Sequence, residues 1–343
     1  MLNNSIANKL FGDDIYNVYK SVVAKWDEPH RVYHSRSHHL HNLLSLIHDL
    51  NTPLKLREIL EILAFFHDYE YDPQSISNER DSAQAFMNCL NTDGEFDTDA
   101  IVKIIYNSIL ETGTLSPSTE ISKQFIKLDF NTLINGSVYE CIEDTKLIFK
   151  EFEFCSVRQF KEGRMNFFNG CVDLGFGIPS DKIEICKQFL RDWNPNVGVY
   201  AGSFYPFHKG HLNILQKAEK IFDKVIIVQA QNPEKSEKGE KFNNVNKILK
   251  HKEVINLNPK IFLTKFLKDE STYSNITLIR GLRNGNDFNY ELNQLRFMED
   301  MYPEIKVVFI PCDREHEYVS SSAIRSIANI NEDESFVYRC EIM

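Results

Sequence analysis

The sequence has no pair of closely spaced cysteines and no long apolar run. Its seven cysteines are scattered, odd in number and never arranged as Cys-x-x-Cys, which is typical of a reducing compartment and argues against a thiolate metal site. No apolar stretch reaches the roughly 20 residues that a membrane-spanning helix requires, and residues 1–16 lack the basic segment and apolar core of a secretory signal. We therefore expect a cytoplasmic protein with no membrane partner.

Positive charge is also in short supply. The 343 residues include 49 acidic and 39 basic ones, which gives a formal net charge of -10. This excess of negative charge repels a phosphate backbone, so nucleic acid is not an expected partner. The chain is longer than one typical domain of about 150 residues, and its length predicts two hydrophobic cores.

Strand signals are nearly absent before residue 192. From Ile6 to about Arg191, runs such as "LKLREILEILAFFHDY" and "IVKIIYNSIL" repeat apolar residues at three- and four-residue spacing, which predicts helices. After "DWNPN", helical runs alternate with short β-rich ones: VGVYAG, KVIIVQAQ, KIFLTKF, ITLIRG and KVVFIPC. This alternation predicts a parallel sheet with crossover helices. We place an all-α domain at residues 1–193 and an α/β, Rossmann-like domain at residues 197–343.

The first strand of the second domain runs into a turn and a helix that suit a phosphate. In "VGVYAGSFYPFHKGHLNILQKAEKIF", Gly202 lets the backbone approach an anion and Ser203 offers a hydroxyl. His208 and His211 fall at the predicted helix start, where their N–H groups can meet phosphate oxygens. The alternative is structural: His211 caps the helix and His208 faces water.

Two later stretches place further anion-binding groups at the same predicted sheet edge. Arg280 and Arg283 follow an apolar strand in "LIRGLRNGNDFNYE", where two guanidinium groups suit a polyphosphate. In "EYVSSSAIRSIA", a helix begins with three serines that offer hydroxyl and backbone donors to another phosphate: Ser320, Ser321 and Ser322. Exposed arginine pairs and serine caps are common structural features, but three anion-binding turns on one edge favour a nucleotide site.

Four stretches follow one another between residues 197 and 330: "GSFYPFHKGH", "NPEK", "LIRGLRNGNDFNYE" and "VSSSAIR". Together they resemble the phosphopantetheine adenylyltransferase family of the nucleotidyltransferase superfamily. The resemblance implies transfer of AMP from ATP to 4'-phosphopantetheine in coenzyme A biosynthesis, with Mg²⁺ assisting and a homo-oligomer, a hexamer, as the assembly.

The resemblance also assigns roles to residues. It implies that His211 steadies the α-phosphate during transfer, that Lys235 orients the acceptor phosphate and that Arg280 contacts the acceptor. Ser203 would line both the nucleotide and the acceptor phosphates. The implied ATP-binding set is Ser203, Phe204, His208, His211, Gly281, Leu282, Arg283, Glu291, Ser320, Ser321 and Ser322.

The residues after Phe207 leave the acceptor open. His208 and Lys209 stand where the family more often has a threonine-asparagine pair, and His-x-Gly-His is usual in relatives that adenylylate nicotinamide or nicotinate mononucleotide. The Arg-Gly-Leu-Arg block followed by Asp287, Tyr290 and Glu291 resembles the phosphopantetheine branch. We favour phosphopantetheine and keep the pyridine mononucleotide, a step of NAD biosynthesis, as the alternative.

Histidines cluster in the first half, where seven of the eleven lie between His30 and His67. His67 and Asp68 end an apolar helix. Burying an unpaired carboxylate costs several kcal/mol, so a buried His-Asp pair normally has a metal or another strong partner. Imidazole and carboxylate together suit a first-row divalent ion. The alternative is a hydrogen-bonded His-Asp pair beside surface histidines.

Five stretches extend this observation: "PHRVYHSRSHH", "AFFHDYEYDP", "NERDSA", "KLDFNTLI" and "VRQFKEGRMNFF". They resemble the HD superfamily of metal-dependent phosphohydrolases over most of residues 26–168. The resemblance implies an HD-type helical fold and a divalent transition metal (Mn, Fe, Zn, Ni or Co) held by His38, His67, Asp68 and Asp129. His39 is a rival for the first ligand position. His34 would assist, and Arg158 and Arg164 would hold a substrate phosphate or face solvent.

Residues 101–128 contain no histidine, although this branch often places one there. That argues against a second metal. The resemblance implies that the first domain is a phosphohydrolase of unknown substrate, and the missing histidine favours the alternative, a non-catalytic sensor or assembly module.

Overall fold

The structure, a computed structural model, describes residues 2, 4–91, 100–171, 174–230 and 245–330. The chain divides into two compact units, Met1–Glu151 with Gly163–Arg191 and Phe152–Glu162 with Asp192–Met343. A single cut between residues 193 and 197 does not reproduce this division, because residues 152–162 group with the second unit although they precede its first strand.

Up to Asp192 the described residues form helices and no strand, as the periodicity predicts. The helices are α1 Ser5–Phe11, α2 Ile15–Trp26, α3 His41–Asp49, α4 Leu54–Phe66, α5 Asn78–Asn88, α6 Ala100–Thr114, α7 Glu120–Asp129, α8 Asn131–Ile134, α9 Val138–Glu151, α10 Val157–Cys171 and α11 Ser180–Asp192. A five-residue π-helix, Arg36–Leu40, precedes α3.

Helix α4 lies at the centre of the first unit. Leu60, Leu63 and Phe66 are fully buried, and the Phe66 ring packs against Phe11 and Phe86 at centroid distances of 5.7 and 5.3 Å. Such apolar burial is worth about 1.5–3 kcal/mol for each large side chain. The core therefore fixes the end of α4, from which the chain continues directly into His67 and Asp68.

The second unit is built on one parallel sheet. Among the described residues its elements are β1 Asn196–Gly202, α12 Lys209–Ala218, β2 Lys224–Ala230, α13 Val245–Ile248, β3 Val254–Leu257, α14 Leu263–Glu270, β4 Asn275–Leu282, α15 Gly285–Met301, β5 Val307–Pro311 and α16 Ser321–Ile330. The strand order is β3-β2-β1-β4-β5, and all neighbours are parallel. This confirms the predicted α/β architecture of the second half.

The sheet brings the ends of β1 and β4 together. Tyr200 pairs with Ile279 in register, so the residues that follow each strand lie at the same edge. The strand order reverses direction at β1, because β2 lies on one side of it and β4 on the other. Ligands of open parallel sheets bind at the carboxyl ends of strands beside such a reversal.

One predicted strand is wrong. The run KIFLTKF, residues 260–266, is not a strand: Phe262 caps α14 and the rest of the run enters that helix. The burial of its side chains gives the physical reason. Leu267 is buried whereas Ile261 and Phe262 are exposed, and burial on one side suits a helix packed on a sheet. The third strand, β3, is a four-residue segment just before this run.

Within the described parts of the chain, the helices are too short or too polar to cross a membrane.

Candidate functional site

A cleft of about 670 Å³ opens at the carboxyl edge of the sheet in the second unit. Its walls come from the ends of β1 and β4, the start of α12, one face of α15 and the start of α16. Twelve of the residues predicted for nucleotide and acceptor binding line this one cleft: Ser203, Phe204, His208, His211, Arg280, Gly281, Leu282, Arg283, Glu291, Ser320, Ser321 and Ser322. Lys235 lies outside the described residues.

The turn after β1 presents its backbone to the cleft. Phe204 has φ +44°, a left-handed conformation that is costly for a non-glycine residue. Its ring is 1% exposed and packs against Tyr200 at 5.0 Å and Phe207 at 5.6 Å. A Cβ on Gly202 would meet this ring at 3.0 Å, so a larger residue there would have to displace the Phe204 ring. The aromatic packing thus stabilises a turn that leaves Ser203 facing the cleft.

His208 and His211 stack on each other at the start of α12. Their ring centroids are 3.6 Å apart, with planes 20° apart. The backbone N–H of His208 donates to His211 Nδ1 at 3.3 Å. Because Nδ1 accepts this bond, the proton of the neutral His211 ring is on Nε2. This atom can donate to a phosphate oxygen in the cleft.

Both histidines are neutral at pH 7. Burial, helped by the nearby Arg283 and His316, lowers the pKa of His208 to about 4. Burial, together with His208 and Arg283, lowers the pKa of His211 well below its ordinary value. His211 therefore acts as a neutral hydrogen-bond donor, and positive charge in the cleft has to come from other side chains.

Two arginines supply that charge, each held by a carboxylate of α15. Arg280 Nε lies 3.0 Å from Glu291 Oε2, and its Nη1 donates to the Ala201 carbonyl at 3.3 Å. Arg283 forms a bidentate ion pair with Asp287, with Nε–Oδ2 and Nη2–Oδ1 distances of 2.9 Å each. Glu291, predicted to hold ATP, is here the partner of Arg280. These pairs hold two guanidinium groups at the cleft wall.

The serine turn closes the cleft from the side of α16. Ser320 Oγ accepts from the Ala323 N–H at 3.1 Å and so caps the helix. Ser321 Oγ donates to the Pro206 carbonyl at 3.0 Å, and Arg325 donates to the Tyr205 carbonyl. The α16 start is thereby tied to the turn after β1, where backbone N–H groups of both can face one anion.

Further residues on one face of α15 also line the cleft: Asp287, Tyr290 and Gln294. The sequence marked Asp287 and Tyr290 only as part of the family resemblance, without a binding role, and did not mark Gln294. Their spacing of three and four residues, together with Glu291, would have identified a single helix face. Tyr200 and Cys312 also line the cleft, and no motif in the sequence marked them.

The comparisons with known proteins concern the second unit. Residues 199–327 match the cytidylyltransferase-like family, so fold and cleft define the second unit as a nucleotidyltransferase. A phosphopantetheine adenylyltransferase of Mycoplasma capricolum subsp. capricolum is 36% identical over 137 residues, which are 38% of this chain and 95% of the relative. One from Clostridium botulinum is 36% identical over 138 residues, 38% of this chain and 84% of the relative. The chain belongs to the phosphopantetheine adenylyltransferase family.

The first unit contains a separate cluster of potential metal ligands. Asp129 Oδ1 lies 2.8 Å from His39 Nε2 and 3.7 Å from His67 Nε2. The ligand atoms of these three residues lie within 4.8 Å of one another. Asp68 Oδ2 is 3.1 Å from His67 Nε2. The π-helix, the end of α4 and the end of α7 thus bring together two imidazoles and two carboxylates.

His38 is not part of this cluster. Its Nε2 lies 3.2 Å from Asp144 Oδ1, and its side chain is 33% exposed, against 7% for His39. The prediction of His38 as the first ligand is therefore replaced by its rival, His39. The π-helix explains the difference: Leu40 N–H donates to the Ser35 carbonyl five residues back at 3.2 Å. This wider turn changes the direction of successive side chains relative to an α-helix.

The cluster fits a divalent cation. His39 Nε2 and His67 Nε2 are buried, and within the described residues neither makes a hydrogen bond of normal geometry. His67 Nδ1 bonds the Ala64 carbonyl at 3.2 Å, which directs Nε2 toward the carboxylates, as in metal-binding histidines. Burial opposes a charge on His67, yet Asp68 and Asp129 raise its pKa to about 9. The cluster therefore attracts positive charge.

The predicted assisting residues lie in different places. His34 Nε2 is 4.0 Å from Asp68 Oδ2, beside the cluster. Arg164 stacks over the rings of Phe167 and Phe168, and its Nε has no hydrogen-bond partner among the described residues. Arg158 groups with the second unit and pairs in solvent with Glu162 at 2.8 Å.

Proposed function

We propose that the second unit transfers AMP from ATP to 4'-phosphopantetheine, giving dephospho-coenzyme A and pyrophosphate. The observation that carries this proposal is the gathering of twelve predicted residues in one cleft in a chain of the phosphopantetheine adenylyltransferase family. The relatives are named for this activity.

The reaction needs no protein nucleophile, because a phosphate oxygen of the acceptor attacks the α-phosphorus of ATP. The bond from that phosphorus to the bridging oxygen breaks, and pyrophosphate leaves. Catalysis then consists of positioning the two phosphates and neutralising charge at the α-phosphorus. Mg²⁺ bound with ATP would neutralise part of the polyphosphate charge.

Each cleft residue has a role in this proposal. His211 Nε2–H donates to a non-bridging oxygen of the α-phosphate, and Arg280 holds the acceptor phosphate. Lys235, which lies outside the described residues, is the residue that the family resemblance assigns to the same phosphate. Ser203 lines both phosphates. ATP is held by the remaining predicted set: Phe204, His208, Gly281, Leu282, Arg283, Glu291 and Ser320 to Ser322.

The test is pyrophosphate release from ATP by the purified full chain with 4'-phosphopantetheine and nicotinamide mononucleotide offered separately. We expect release with phosphopantetheine. Release with the mononucleotide alone would support the alternative acceptor, which the His208-Lys209-Gly210-His211 sequence favours.

We also propose that the first unit is a metal-dependent phosphohydrolase. Two buried imidazole Nε2 atoms favour this second function: they lie 2.8 and 3.1 Å from carboxylate oxygens and, among the described residues, make no hydrogen bond of normal geometry. The proposed ligands are His39, His67, Asp68 and Asp129. A bound transition metal lowers the pKa of a coordinated water and so supplies a nucleophile for a phosphate ester. Arg164, with its free Nε, would hold a substrate phosphate.

The alternative for the first unit is a sensor or assembly module without catalysis. Metal analysis of the full chain, with hydrolysis of p-nitrophenyl phosphate measured on the same preparation, separates the two. Bound metal with hydrolysis supports the enzyme, and bound metal without hydrolysis of this or other esters supports the sensor.

We further propose that the chain forms a homo-oligomer through the second unit. Helix α15 leaves Phe297 64% and Met301 50% exposed, and large apolar side chains exposed together are typical of an interaction surface. A hexamer is the assembly that the family resemblance implies, and light scattering of the full chain measures it.

A further inference from the structure

Glu151, the last residue of α9, is a fully buried carboxylate that the candidate metal ligands do not use. Its side chain is 0% exposed. Among the described residues it accepts four hydrogen bonds: from the backbone N–H groups of Val32 and His34 at 2.8 and 2.7 Å, from His34 Nδ1 at 2.7 Å and from the Tyr71 hydroxyl at 2.8 Å. A buried carboxylate is costly unless it is bonded in this way.

These bonds fix the His34 ring in one orientation. With Nδ1 bonded to Glu151, the opposite atom, Nε2, points to the metal-ligand cluster, 4.0 Å from Asp68 Oδ2. The ring also lies against Tyr71 at a centroid distance of 4.3 Å and 5.5 Å from the ring of His39. Because an ionised carboxylate can only accept, the Nδ1 atom of His34 carries a proton. The pairing thus sets both the tautomer and the direction of the imidazole.

We propose that Glu151 is a positioning residue: it holds His34 so that Nε2 contacts a phosphate oxygen of the substrate beside the metal ligands. The inference rests on the proposed phosphohydrolase function of the first unit. Glu151 is 117 positions from His34 in sequence, and it acts through His34 without touching the substrate. A carboxylate that orients a catalytic imidazole in this way is a recurrent device of hydrolytic enzymes.

Glu151 also anchors the Val32–His34 backbone. If this anchoring were its whole role, its loss would lower activity through a displaced backbone, whatever the direction of the His34 ring. Four variants of the full chain separate the two roles: Glu151→Gln, His34→Ala, the double variant and Tyr71→Phe. Gln keeps an acceptor for the backbone N–H groups, but its amide can donate to Nδ1 and so reverse the tautomer. Tyr71→Phe is the matched control, since it removes one bond to Glu151 and leaves the bond to His34.

The first measurement is hydrolysis of p-nitrophenyl phosphate by the metal-loaded chain. We expect Glu151→Gln and His34→Ala each to lower kcat about a hundredfold with unchanged metal content. The double variant should be no slower than His34→Ala within about threefold, because one residue acts through the other. Tyr71→Phe should stay within about threefold of wild type. Additive losses in the double variant, or wild-type kcat in Glu151→Gln, would overturn the proposal.

The second measurement does not depend on hydrolysis. In the metal-free chain with ¹⁵N-labelled histidine, the His34 Nδ1 proton should give a downfield, slowly exchanging resonance. This resonance should be lost in Glu151→Gln and His34→Ala and kept in Tyr71→Phe. Its survival in Glu151→Gln would overturn the positioning role.

Failure of the proposed hydrolase function can be told apart from failure of this inference. If wild type hydrolyses no ester, the hydrolase proposal fails by itself. Inorganic phosphate added to the Zn²⁺-loaded chain then decides the inference: a shift of the His34 ¹⁵Nε2 resonance that occurs in wild type and not in Glu151→Gln supports it, and an unmoved wild-type ¹⁵Nε2 resonance overturns it.

Discussion

At the residue scale, His211 is the side chain of the cleft whose role is most sharply defined by its own bonds. Its Nδ1 accepts the His208 N–H, and its pKa is lowered well below the usual value by burial first and then by neighbouring positive groups. We expect His211→Ala to lower kcat for AMP transfer about a hundredfold, with ATP affinity changed little, because the lost hydrogen bond matters at the transition state.

Steady-state rates and equilibrium ATP binding test this prediction. His48→Ala, an exposed histidine of the first unit, is the control and should have wild-type rates. Nearly unchanged turnover in His211→Ala would remove His211 from the catalytic residues.

His208 makes the stability of the second unit depend on pH. It is 4% exposed, and its pKa falls from 6.5 to about 4, chiefly through burial. Between these values the unfolded chain binds a proton that the folded chain does not, so folding loses stability as pH falls through this window. The free energy of unfolding therefore has its full value above pH 6.5 and is lower by on the order of 3 kcal/mol below pH 4.

Pulse proteolysis in urea at pH 7.5 and 4.5 measures this loss, because the two units yield fragments that can be followed separately. His208→Asn should weaken the pH dependence of the second unit. An equal pH dependence in wild type and variant would show that other groups cause it.

At the element scale, the π-helix Arg36–Leu40 decides which of two adjacent histidines faces the ligand cluster. We expect His39→Ala to reduce the metal bound by the purified chain to a small fraction of the wild-type amount, because it removes a buried Nε2 from the cluster. His38→Ala should keep the wild-type stoichiometry, since His38 bonds Asp144 instead. Elemental analysis measures both, and metal loss in His38→Ala with retention in His39→Ala would reverse the assignment.

The packing of α12 on β4 depends on Gly281. A Cβ there would lie 3.1 Å from Ile214 Cγ1 and 3.2 Å from the Tyr200 hydroxyl, closer than most real contacts. We expect Gly281→Ala to destabilise the second unit by about 1–3 kcal/mol, as overpacking does, and to slow AMP transfer by moving the start of α12. Thermal unfolding and transfer rates measure the two effects.

Gly285→Ala is the matched control for Gly281→Ala. Gly285 begins α15, and no atom lies within 4 Å of an added Cβ. The substitution should be neutral or stabilise the chain by up to about 1 kcal/mol. A comparable loss in both variants would mean that the packing of α12 on β4 is not the cause.

Elements with repeating patterns could be predicted, and short or irregular ones could not. The apolar run of β1 and the helical spacing of α4 and α15 depend on many residues, so a local exception does not hide them. Strand β3 has four residues, too few for a pattern. The sequence therefore predicts a strand in the apolar run at the start of α14 instead. The π-helix that gives His38 and His39 different directions is defined by backbone bonds such as those from Leu40 to Ser35 and from His41 to Arg36, which leave no trace in residue periodicity.

The same reasoning explains the candidate sites. Residues 202–211 and 280–291 are contiguous motifs, so a local pattern identifies the cleft, and the order of the strands then brings its parts together. Glu151 could not be predicted, because its four donors come from segments about 80 and about 120 positions away. A buried carboxylate paired over such separations is visible only in the folded chain.

At the scale of the whole molecule, two sites of different chemistry occupy two compact units of one chain. Reciprocal variants of the full chain test whether they work independently. We expect His39→Ala to abolish ester hydrolysis and keep AMP transfer, because the variant changes only the first unit's ligand set. His211→Ala should lose AMP transfer and keep metal and hydrolysis. Both rates are measured on each preparation, with Tyr71→Phe as a control for a substitution beside the metal cluster.

The outcome for AMP transfer in His39→Ala distinguishes a bifunctional enzyme from a regulated one. An unchanged transfer rate means that the metal cluster is not coupled to transfer, and the hydrolysis measured on the same preparation then decides whether the first unit has its own reaction. A changed rate, in a chain whose cleft residues are all intact, means that the metal cluster is coupled to transfer. If bound metal changes the affinity for ATP, ATP must change the affinity of the first unit for its metal by the same factor, which metal titration with and without ATP measures directly.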